Sequence, residues 1–501
     1  MLTKEELPSV SRRGIASAAT LVALVCALFC LGGCSTLSGT PANAVVGRAG
    51  VYDYSPSIIQ VGHVQQFWWC GQGQNPADHS QNTDTIQYES INLDTGQQVG
   101  PEVVLAETPG AWDSAYTCNP QVVQGTFTNP LGDGASYKYA LYYVGTAEVA
   151  GINNSIGAAF SNDGIHWKKY PSPVIPTTNQ QVYGPAQPVP YNSDGKQAIW
   201  LFYEDDEPPL APNSHVQTVS SDGVHFSSVG TLTTNGLNIP PTLASWGNIA
   251  YNPADSYWYA SFNFPTRSLA TTGNVQELGS YGFQVYRIPQ NDLLAGKTGW
   301  LQLKTIDTNL TGYEMISGAG FARDPSGNLY QDDSGTLQIF PSFSNMWIPW
   351  NASPASAASQ AAVNTWDIGK YTWSAKEPPL YDLKRYKNGI SHDVTTGWID
   401  PAGGFSIEET LGEVYKSPQQ GATVALYSCK RGDVDFFLSL DGNCEGQHII
   451  GINGYMYAQS VAGLVLSPLY RCSTGSGHFA SGDPLCEGSK TEELLGYILP
   501  K

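Results

Sequence analysis

Short runs of apolar and aromatic residues alternate with turns rich in glycine, asparagine and aspartate along most of the chain after residue 50. In residues 51–71, two such runs flank a turn at Gly62, and the second run is aromatic. This pattern predicts two antiparallel strands. Beyond residue 50 the sequence contains no stretch with the Ala/Leu/Glu/Lys-rich pattern of a surface helix. The hydrophobic pattern therefore predicts an all-β protein.

Strand-opening patterns recur at intervals of about 60–70 residues, as expected for units of four strands with long loops. They begin at Ser55, Asn119, Gln187, Gly247 and Gly320. Aromatic second strands follow in phase, at residues 67–69, 140–143, 199–203 and 257–259. Five such units predict a five-bladed β-propeller over residues 51–370.

Two turns of the form Ser-x-Asp-Gly-x-His-aromatic occur at residues 161–167 and 220–226. They resemble the Asp-box turn of sialidase-like and arabinanase-like propellers. Because Asp-Gly is a residue pair that tight hairpins favour, we expect a structural role for both turns.

Beyond residue 370 the pattern changes to three aligned segments. Glycines Gly412, Gly454 and Gly496 close the segments at two equal intervals of 42 residues. Three equal β units predict a β-trefoil-like domain over residues 371–501, since one unit alone could not bury its apolar face. The segments resemble a repeat module of secreted bacterial proteins, Leu-Tyr-x-Cys, Cys-Glu-Gly and Gly-Tyr, which has no assigned function.

The N-terminus has the features of a targeting segment. Arg12 and Arg13 precede an apolar run over residues 15–29, and Leu31-Gly32-Gly33-Cys34 resembles the lipobox of bacterial lipoproteins. The resemblance implies a signal peptide over residues 1–33, a lipid on Cys34 and a tether over residues 34–50. An uncleaved signal anchor is the alternative, and the arginine pair also resembles a degenerate twin-arginine signal. We therefore expect an exported protein of a bacterial cell envelope, held to a membrane through its N-terminal lipid only.

Six of the nine cysteines remain after the signal peptide and Cys34 are set aside, which predicts three disulfides in an exported protein. The repeats pair two sets locally, and the remaining two cysteines would tie the first blade to the second. The predicted pairs are Cys429–Cys444, Cys472–Cys486 and Cys70–Cys118.

Charged residues make up only 13% of the chain and the net charge is −19. This balance argues against a nucleic-acid partner, because phosphate binding needs a basic face. An acidic, weakly charged surface is compatible with a neutral ligand. The same surface is equally well explained by the need for solubility alone. The sequence has no metal-ligand spacing of histidines and no phosphate-binding glycine loop, so no metal or cofactor is predicted. A structural calcium ion would be compatible with the sequence, but nothing in it requires one.

Residues 49–370 resemble the five-bladed glycoside hydrolases of the arabinanase/xylosidase and invertase-like families. The resemblance rests on the opening of blade one, Asp53 to Ser57, on the aromatic second strand at residues 67–71, and on the two Asp-Gly turns. The resemblance implies three catalytic carboxylates at the starts of inner strands, because glycoside hydrolysis needs one protonated and one ionised carboxyl group. Asp53 fits the first position. The second falls on Asn119 and the third near Gln187, and neither residue can ionise.

Two replacements for the missing acids are available. One is Asp113, shortly before Asn119. The other is the acidic run at residues 204–207, whose alternative interpretation is a solvated hairpin tip or a cation-binding loop. The catalytic residues predicted from sequence are therefore Asp53 and Asp113.

Residues at the predicted channel mouth suit a sugar ligand. The amides of Asn119 and Gln187 offer both donors and acceptors to sugar hydroxyls. Four aromatic residues could stack on sugar rings, with packing between blades as their alternative role: Trp112, Tyr116, Tyr183 and Trp246. We therefore expect a lipid-anchored, carbohydrate-active protein that resembles glycoside hydrolases and acts on polysaccharide. The alternative is a glycan-binding or scaffold protein that has kept the propeller and lost its catalytic acids.

Overall fold

A computed structural model describes most of the chain from residue 44 onward. The described residues are 44–48, 51–75, 82–148, 152–178, 184–207, 210, 214–232, 237, 245–264, 282–296, 300–307, 315–332, 335–344, 366–374, 380–389, 391–397, 399, 404–416, 418, 423–461 and 463–501. Within them nearly all regular structure is β-strand, and the one α-helix is the five-residue α1 (Gln290–Leu294). The predicted all-β class is confirmed.

The first sixteen strands form four blades, each an antiparallel sheet of four consecutive strands. Blade one contains β1 (Asp53–Val61), β2 (Val64–Gln74), β3 (Asn82–Asn92) and β4 (Gln98–Leu105). Blade two contains β5 (Tyr116–Thr128), β6 (Ser136–Thr146), β7 (Ser155–Ser161) and β8 (Lys168–Lys169). Blade three contains β9 (Ala186–Asn192), β10 (Ile199–Asp205), β11 (Ser214–Ser220) and β12 (Phe226–Thr231). Blade four contains β13 (Ser245–Asn252), β14 (Tyr257–Phe264), β15 (Gly282–Pro289) and β16 (Leu301–Asp307).

Blade five contains β17 (Met315–Arg323), β18 (Thr336–Ser344), β19 (Asp367–Ile368) and β20 (Tyr371–Ser374). Both β19 and β20 pair with β18, so the blade extends four residues past the predicted boundary at residue 370. The first strands β1, β5, β9, β13 and β17 contact one another in a closed ring. The predicted five-bladed propeller is therefore confirmed.

The ring closes through the parallel pairing of β1 with β17, and residues predicted to belong to the tether add a further contact at the outer edge of blade five. Val46 forms an antiparallel bridge with Ile368, and each of the two residues donates its backbone N–H to the other's carbonyl oxygen. Val46 is buried, so residues 44–48 add an outer strand to blade five. Residues 44–48 thus contact blade five through backbone hydrogen bonds of β19, a partner that their own sequence pattern does not reveal.

The aromatic second strands pack between neighbouring blades, as predicted. Trp68 of β2 is fully buried in a cluster with Val122 and Leu141 of blade two. Trp258 of β14 is equally buried and packs against Phe202 of blade three. Large flat rings fill the wedge between two twisted sheets, which is why each blade carries them at the same place.

The two Asp-box turns are structural, as predicted. In the first turn, the Asp163 carboxylate accepts the backbone N–H groups of Ile165 and His166. The carbonyl oxygen of Gly164 accepts a hydrogen bond from the Trp68 indole of the preceding blade, at 2.8 Å. The second turn repeats this contact between Gly223 and the hydroxyl of Tyr142, also at 2.8 Å. Each turn therefore fastens its own blade to the blade before it.

Within the described residues, the C-terminal region contains nine strands in three equivalent units, which follow the predicted 42-residue repeat. The units are β21 (Leu380–Lys387), β22 (His392–Thr395) and β23 (Ser406–Tyr415); β24 (Thr423–Arg431), β25 (Asp435–Ser439) and β26 (His448–Tyr457); and β27 (Ser467–Ser473), β28 (His478–Ser481) and β29 (Lys490–Ile498). In each unit the first strand pairs with both others.

The three predicted glycines lie at the contacts between repeats. Each has φ near +150°, and a Cβ atom on Gly454 or Gly496 would lie 2.7 or 2.6 Å from the carbonyl oxygen of Tyr415 or Tyr457 in the preceding repeat. A Cβ on Gly412 would lie 2.4 Å from the carbonyl oxygen of Leu499 in the last repeat. The 42-residue interval therefore reflects a ring in which every repeat meets the next through a bare glycine.

All three predicted disulfides are present. Cys70–Cys118 joins blade one to blade two, and Cys429–Cys444 and Cys472–Cys486 occupy equivalent positions in the second and third repeats. Among the residues that the structure describes, no helix has the length and apolar character needed to cross a membrane.

Candidate functional site at the channel mouth

The five inner strands run in the same direction, and all begin at one end of the central channel, called here the mouth. Each has an irregular register near its start. Ser55, Asn119 and Gln187 have φ near +50° there, an unfavourable value for residues other than glycine. Backbone strain of this kind is commonly found at functional sites, and three neighbouring blades present it at the same level of the channel.

Below the mouth the channel is filled by Arg323, which is fully buried. Its guanidinium group donates to Ser57 of blade one, to Gln121 of blade two at 2.6 Å and to the carbonyl oxygen of Pro190 in blade three. Asn248 of blade four donates to the same Gln121 oxygen. Arg323 itself belongs to blade five, so this network links all five blades across the axis.

The far end of the channel is covered by the segment that follows Arg323. The carbonyl oxygens of Pro325 and Ser326 accept backbone hydrogen bonds from Gln124 in blade two and Asn192 in blade three, and Leu329 donates to blade four. Within the described residues, this segment and Arg323 therefore block the far end of the channel.

Asp53, the predicted catalytic residue of blade one, is fully buried and held on every side. One oxygen accepts from the Arg48 guanidinium at 2.7 and 2.9 Å and from the Trp69 indole at 2.6 Å. The other accepts the backbone N–H of Arg48 at 3.0 Å. This is the arrangement of a structural ion pair, and it leaves the carboxylate no approach to a substrate.

Two further acids lie within the electrostatic reach of Asp53. Burial, and secondarily the negative charge of Asp53, raises the pKa of Glu89 and raises the pKa of Asp367 to about 6. Arg48 is therefore the cation that compensates a strongly negative region at the seam between blades one and five.

Asp113, the second predicted catalytic residue, lies on the outer side of blade two. Its carboxylate contacts Lys169 of the outermost strand at 2.5 Å and accepts from the hydroxyl of Tyr143 at 3.0 Å. Trp112 stacks on the same tyrosine ring and packs against Gly145 and Gly157. The structure thus separates both residues from the channel and does not support a catalytic pair of Asp53 and Asp113.

The acidic run 204–207 is not a solvated hairpin tip. Asp205 and Glu207 are buried. Glu207 accepts hydrogen bonds from Thr177 and Thr178, and Asp206 accepts from the backbone of Gly184, so both fasten the segment that leads into blade three. Glu204 is partly exposed at the mouth and accepts from Ser245 of blade four at 3.2 Å.

Burial of Asp205, together with the nearby charges of Glu207 and Asp206, raises its pKa to about 6 despite hydrogen bonds that lower it. An acid whose pKa is higher in the folded state stabilises the fold fully only below its unfolded value, and that contribution is lost as the pH rises through about 6. We therefore expect Asp205→Asn to raise the free energy of unfolding at pH 7 by about 1–2 kcal/mol.

Urea unfolding followed by tryptophan fluorescence at pH 4 and pH 7 would measure this effect. The gain should be present at pH 7 and vanish at pH 4. The matched control is Asp194→Asn, in an exposed turn of the same blade. Burial is the largest single effect on the Asp194 carboxyl group and raises its pKa, but several backbone hydrogen bonds together outweigh it and lower the pKa. An Asp205→Asn variant that is less stable than the wild type at pH 7 would contradict the assignment.

A further carboxyl group at the mouth, which sequence reasoning missed, is Asp84. Tyr52 donates its hydroxyl to one Asp84 oxygen, and Tyr54 donates to the other at 3.2 Å. Thr117 of blade two donates to the Asp84 carbonyl oxygen at 3.4 Å. The residue is partly exposed at the junction of blades one and two.

Burial of the Asp84 carboxyl group raises its pKa, although the two tyrosine hydrogen bonds act in the opposite direction. Burial and the Asp84 charge also raise the pKa of Tyr116, which lies at the start of β5. The mouth therefore holds an acid whose pKa is raised by burial, surrounded by three tyrosines. A titratable group of this kind in a cleft is a functional-site candidate.

The remaining predicted ligand-binding residues are placed as follows. Tyr116, Asn119 and Gln187 lie at the mouth, Asn119 buried and the other two partly exposed. Tyr183 and Cys34 lie outside the described residues, as does the side chain of Trp246.

Within the described residues, one grouping of three side chains has the spacing of a metal site. It contains Cys70, Asp84 and Cys118, whose ligand atoms lie within 4.8 Å of one another. The two sulfur atoms are joined in a disulfide, so they do not act as thiolate ligands.

No protein-family model matches the chain, and no curated protein matches it. Among solved structures, the chain is similar to a family 117 glycoside hydrolase, Zg3597, from the marine bacterium Zobellia galactanivorans, with 12% identity, a TM-score of 0.43 and coverage of 66% of this chain and 88% of that one. It is also similar to an α-L-arabinofuranosidase from Podospora anserina in complex with cellotriose, with 12% identity, a TM-score of 0.39 and coverage of 66% and 94%. A thermostable family-43 glycoside hydrolase gives 12% identity, a TM-score of 0.39 and coverage of 75% and 97%. At these low values, the architecture and the site are defined by this chain's own strand pairings and contacts.

Proposed function

We propose that this protein is an exported, lipid-anchored carbohydrate-active protein of the glycoside hydrolase type, which engages polysaccharide at the mouth of its propeller. The observation that carries the proposal is the Asp84 cluster. At the mouth, a carboxyl group with a raised pKa is held by two tyrosine hydroxyls. Asn119 and Gln187 lie near the starts of the inner strands of blades two and three. The lipid on Cys34 and the export signal come from the sequence resemblance alone.

The proposed chemistry assigns the proton donor to Asp84. Glycosidic bond cleavage needs an acid that protonates the leaving oxygen and a second carboxylate on the other side of the sugar. A raised pKa suits the first role, because the group must still hold its proton near neutral pH. Glu204 lies at the same end of the channel in blade three, and we assign it the second role.

Tyrosines complete the site. Tyr54 and Tyr116 bring apolar ring faces and hydroxyl groups to the mouth, and both are suited to contact a sugar ring. The Asn119 and Gln187 side-chain amides would bind the sugar hydroxyls, because an amide can donate and accept hydrogen bonds at the same time.

The test is to incubate the chain from residue 34 onward with a panel of plant and bacterial polysaccharides and to measure released reducing sugar. Asp84→Asn is expected to lower the rate by at least about 100-fold, the usual contribution of a general acid. The matched control is Asp94→Asn, in an exposed turn at the opposite end of blade one, which should leave the rate unchanged. Turnover that survives Asp84→Asn, or glycan binding without any turnover by the wild type, would overturn the hydrolase assignment.

A further inference from the structure

A second polar pocket lies in the C-terminal domain, remote in sequence from the channel mouth. The three short strands β22, β25 and β28 contact one another around the pseudo-threefold axis. The turns that lead into these strands line a small pocket with a volume of about 80 Å³. All three repeats contribute to its lining, with Ser391, His392, Val434, Asp435, Ser476 and His478 among the lining residues.

The pocket is not threefold symmetric, although its framework is. His392 and His478 occupy equivalent positions in the first and third repeats, and each directs Nε2 toward a glutamate of its own repeat, at 3.4 Å for Glu408 and 3.3 Å for Glu492. Pairing places Phe436 at the same position in the second repeat. The second repeat contributes Asp435 to the pocket lining instead of a histidine, so a carboxylate lies on one side of the pocket only.

Asp435 fixes the orientation of His478. The carboxylate is buried, it accepts the backbone N–H of His478 at 2.9 Å, and its oxygens lie 2.9 and 3.1 Å from Nδ1 of the ring. Arg431 contacts the same carboxylate at 2.7 Å and balances its charge. Such contacts on both ring nitrogens hold the imidazole in one position, as a preformed binding site requires.

The surrounding charges are also paired within the fold. Glu408 accepts from Arg385 at 2.9 Å and Glu492 from Arg471 at 3.1 Å. The three carboxylates that contact the histidines therefore each have an arginine partner. A pocket with balanced charges and several neutral donors and acceptors favours an uncharged, hydroxyl-rich ligand over an ion.

We propose that this pocket binds one neutral sugar residue, such as the end of a glycan chain. The hydroxyl groups of Ser391 and Ser476 match the hydroxyls of a pyranose ring, and the two imidazole rings line the pocket beside them. Val434, which is 55% exposed, offers an apolar surface to the C–H face of the ring. The inference does not depend on the proposed function, because none of these residues belongs to the propeller.

A second sugar site would make the protein bivalent toward polysaccharide. When two sites on one chain engage one polymer, the second contact is intramolecular and the apparent affinity exceeds that of either site. The C-terminal pocket would then hold the substrate near the channel mouth without taking part in its chemistry.

Two variants test the pocket with the full mature chain. Ser476→Trp fills it from an exposed turn, whereas Ser460→Trp places the same bulk on an exposed loop that follows β26, at the opposite end of the repeat. On a glycan array that displays neutral, acidic and amino-sugar termini, we expect the wild type to retain neutral termini and Ser476→Trp to lose at least tenfold in affinity. Ser460→Trp should bind as the wild type does. Equal melting temperatures of both variants would show that the fold is intact.

A second readout locates the binding. Titrating ring-labelled histidine protein with the free monosaccharide selected by the array should shift the NMR signals of His392 and His478 and leave exposed His63 of blade one unchanged. Binding that survives Ser476→Trp, a preference for charged termini, or unshifted His392 and His478 signals would overturn the proposal. Asp84→Asn should abolish turnover and leave these shifts in place, so failure at the mouth and failure at the pocket are distinguishable.

Discussion

Replacing Arg323 with alanine is expected to lower the free energy of unfolding by about 3–5 kcal/mol. The side chain is fully buried and donates to Ser57, Gln121 and backbone carbonyls in two other blades. Removing it opens a cavity on the propeller axis and leaves those acceptors without their donor, and both effects add to the loss.

The charge of Arg323 opposes part of this stabilisation. Burial lowers the pKa of the guanidinium group to about 10, so the group is still charged at pH 7, but its charge carries a desolvation cost. The hydrogen bonds must outweigh that cost. Arg323→Lys tests the balance, because lysine keeps the charge and supplies fewer donors in a different geometry, and we expect it to lose more than half as much stability as the alanine variant.

Chemical unfolding monitored by far-ultraviolet circular dichroism would measure both variants. Arg287→Ala is the matched control, since Arg287 also lies on a blade but is partly exposed and contacts Asp255 at 3.7 Å, a pair that should contribute less than about 1 kcal/mol. An Arg323→Ala variant within 1 kcal/mol of the wild type would disprove the role of the network across the axis.

Replacing Arg48 with alanine is expected to cost about 3–5 kcal/mol, because it leaves the fully buried Asp53 carboxylate without its counter-charge. Glu89 and Asp367 add to the negative region, which makes the loss of this cation more severe. The same change should loosen the N-terminal strand at residues 44–48, since Arg48 anchors its end to blade one.

A double variant separates the ion pair from general disruption. Arg48→Ala with Asp53→Asn removes the buried charge together with its partner, and we expect it to recover at least half of the lost stability. Hydrogen exchange at the backbone N–H of Val46 and Ile368 would report on the closure of the ring. Equal losses in the single and the double variants would show that Arg48 acts through packing rather than through Asp53.

Arg48 and Asp53 also show which features of this protein can be predicted from its sequence. The blades were predictable because alternating apolar residues and Asp-Gly turns are local signals with a fixed period. The three C-terminal repeats and the three disulfides were predictable for the same reason, since their cysteines and glycines recur at set intervals. The two Asp-box turns followed from residue types that tight hairpins require.

The sequence could not reveal which carboxyl groups are available to a ligand. Asp53 and Asp113 stand near the starts of inner strands, as catalytic acids would, yet Arg48 and Lys169 hold them in buried ion pairs. Asp84 has no distinguishing neighbours along the chain. It becomes a candidate only because Tyr52 and Tyr54, some thirty positions earlier, meet it across the sheet.

By itself, then, the sequence determined the elements: an all-β chain, five blades, three repeats and their disulfide pairs, all of which depend on residues close in sequence or on a fixed repeat. Only the tertiary structure shows how the two ends of the propeller meet and which of the predicted acids are buried in ion pairs. Val46 pairs with Ile368 more than three hundred residues away, and Arg323 draws its acceptors from three other blades. The accessibility and protonation of an acid depend on such distant partners, because burial and neighbouring charges set its pKa.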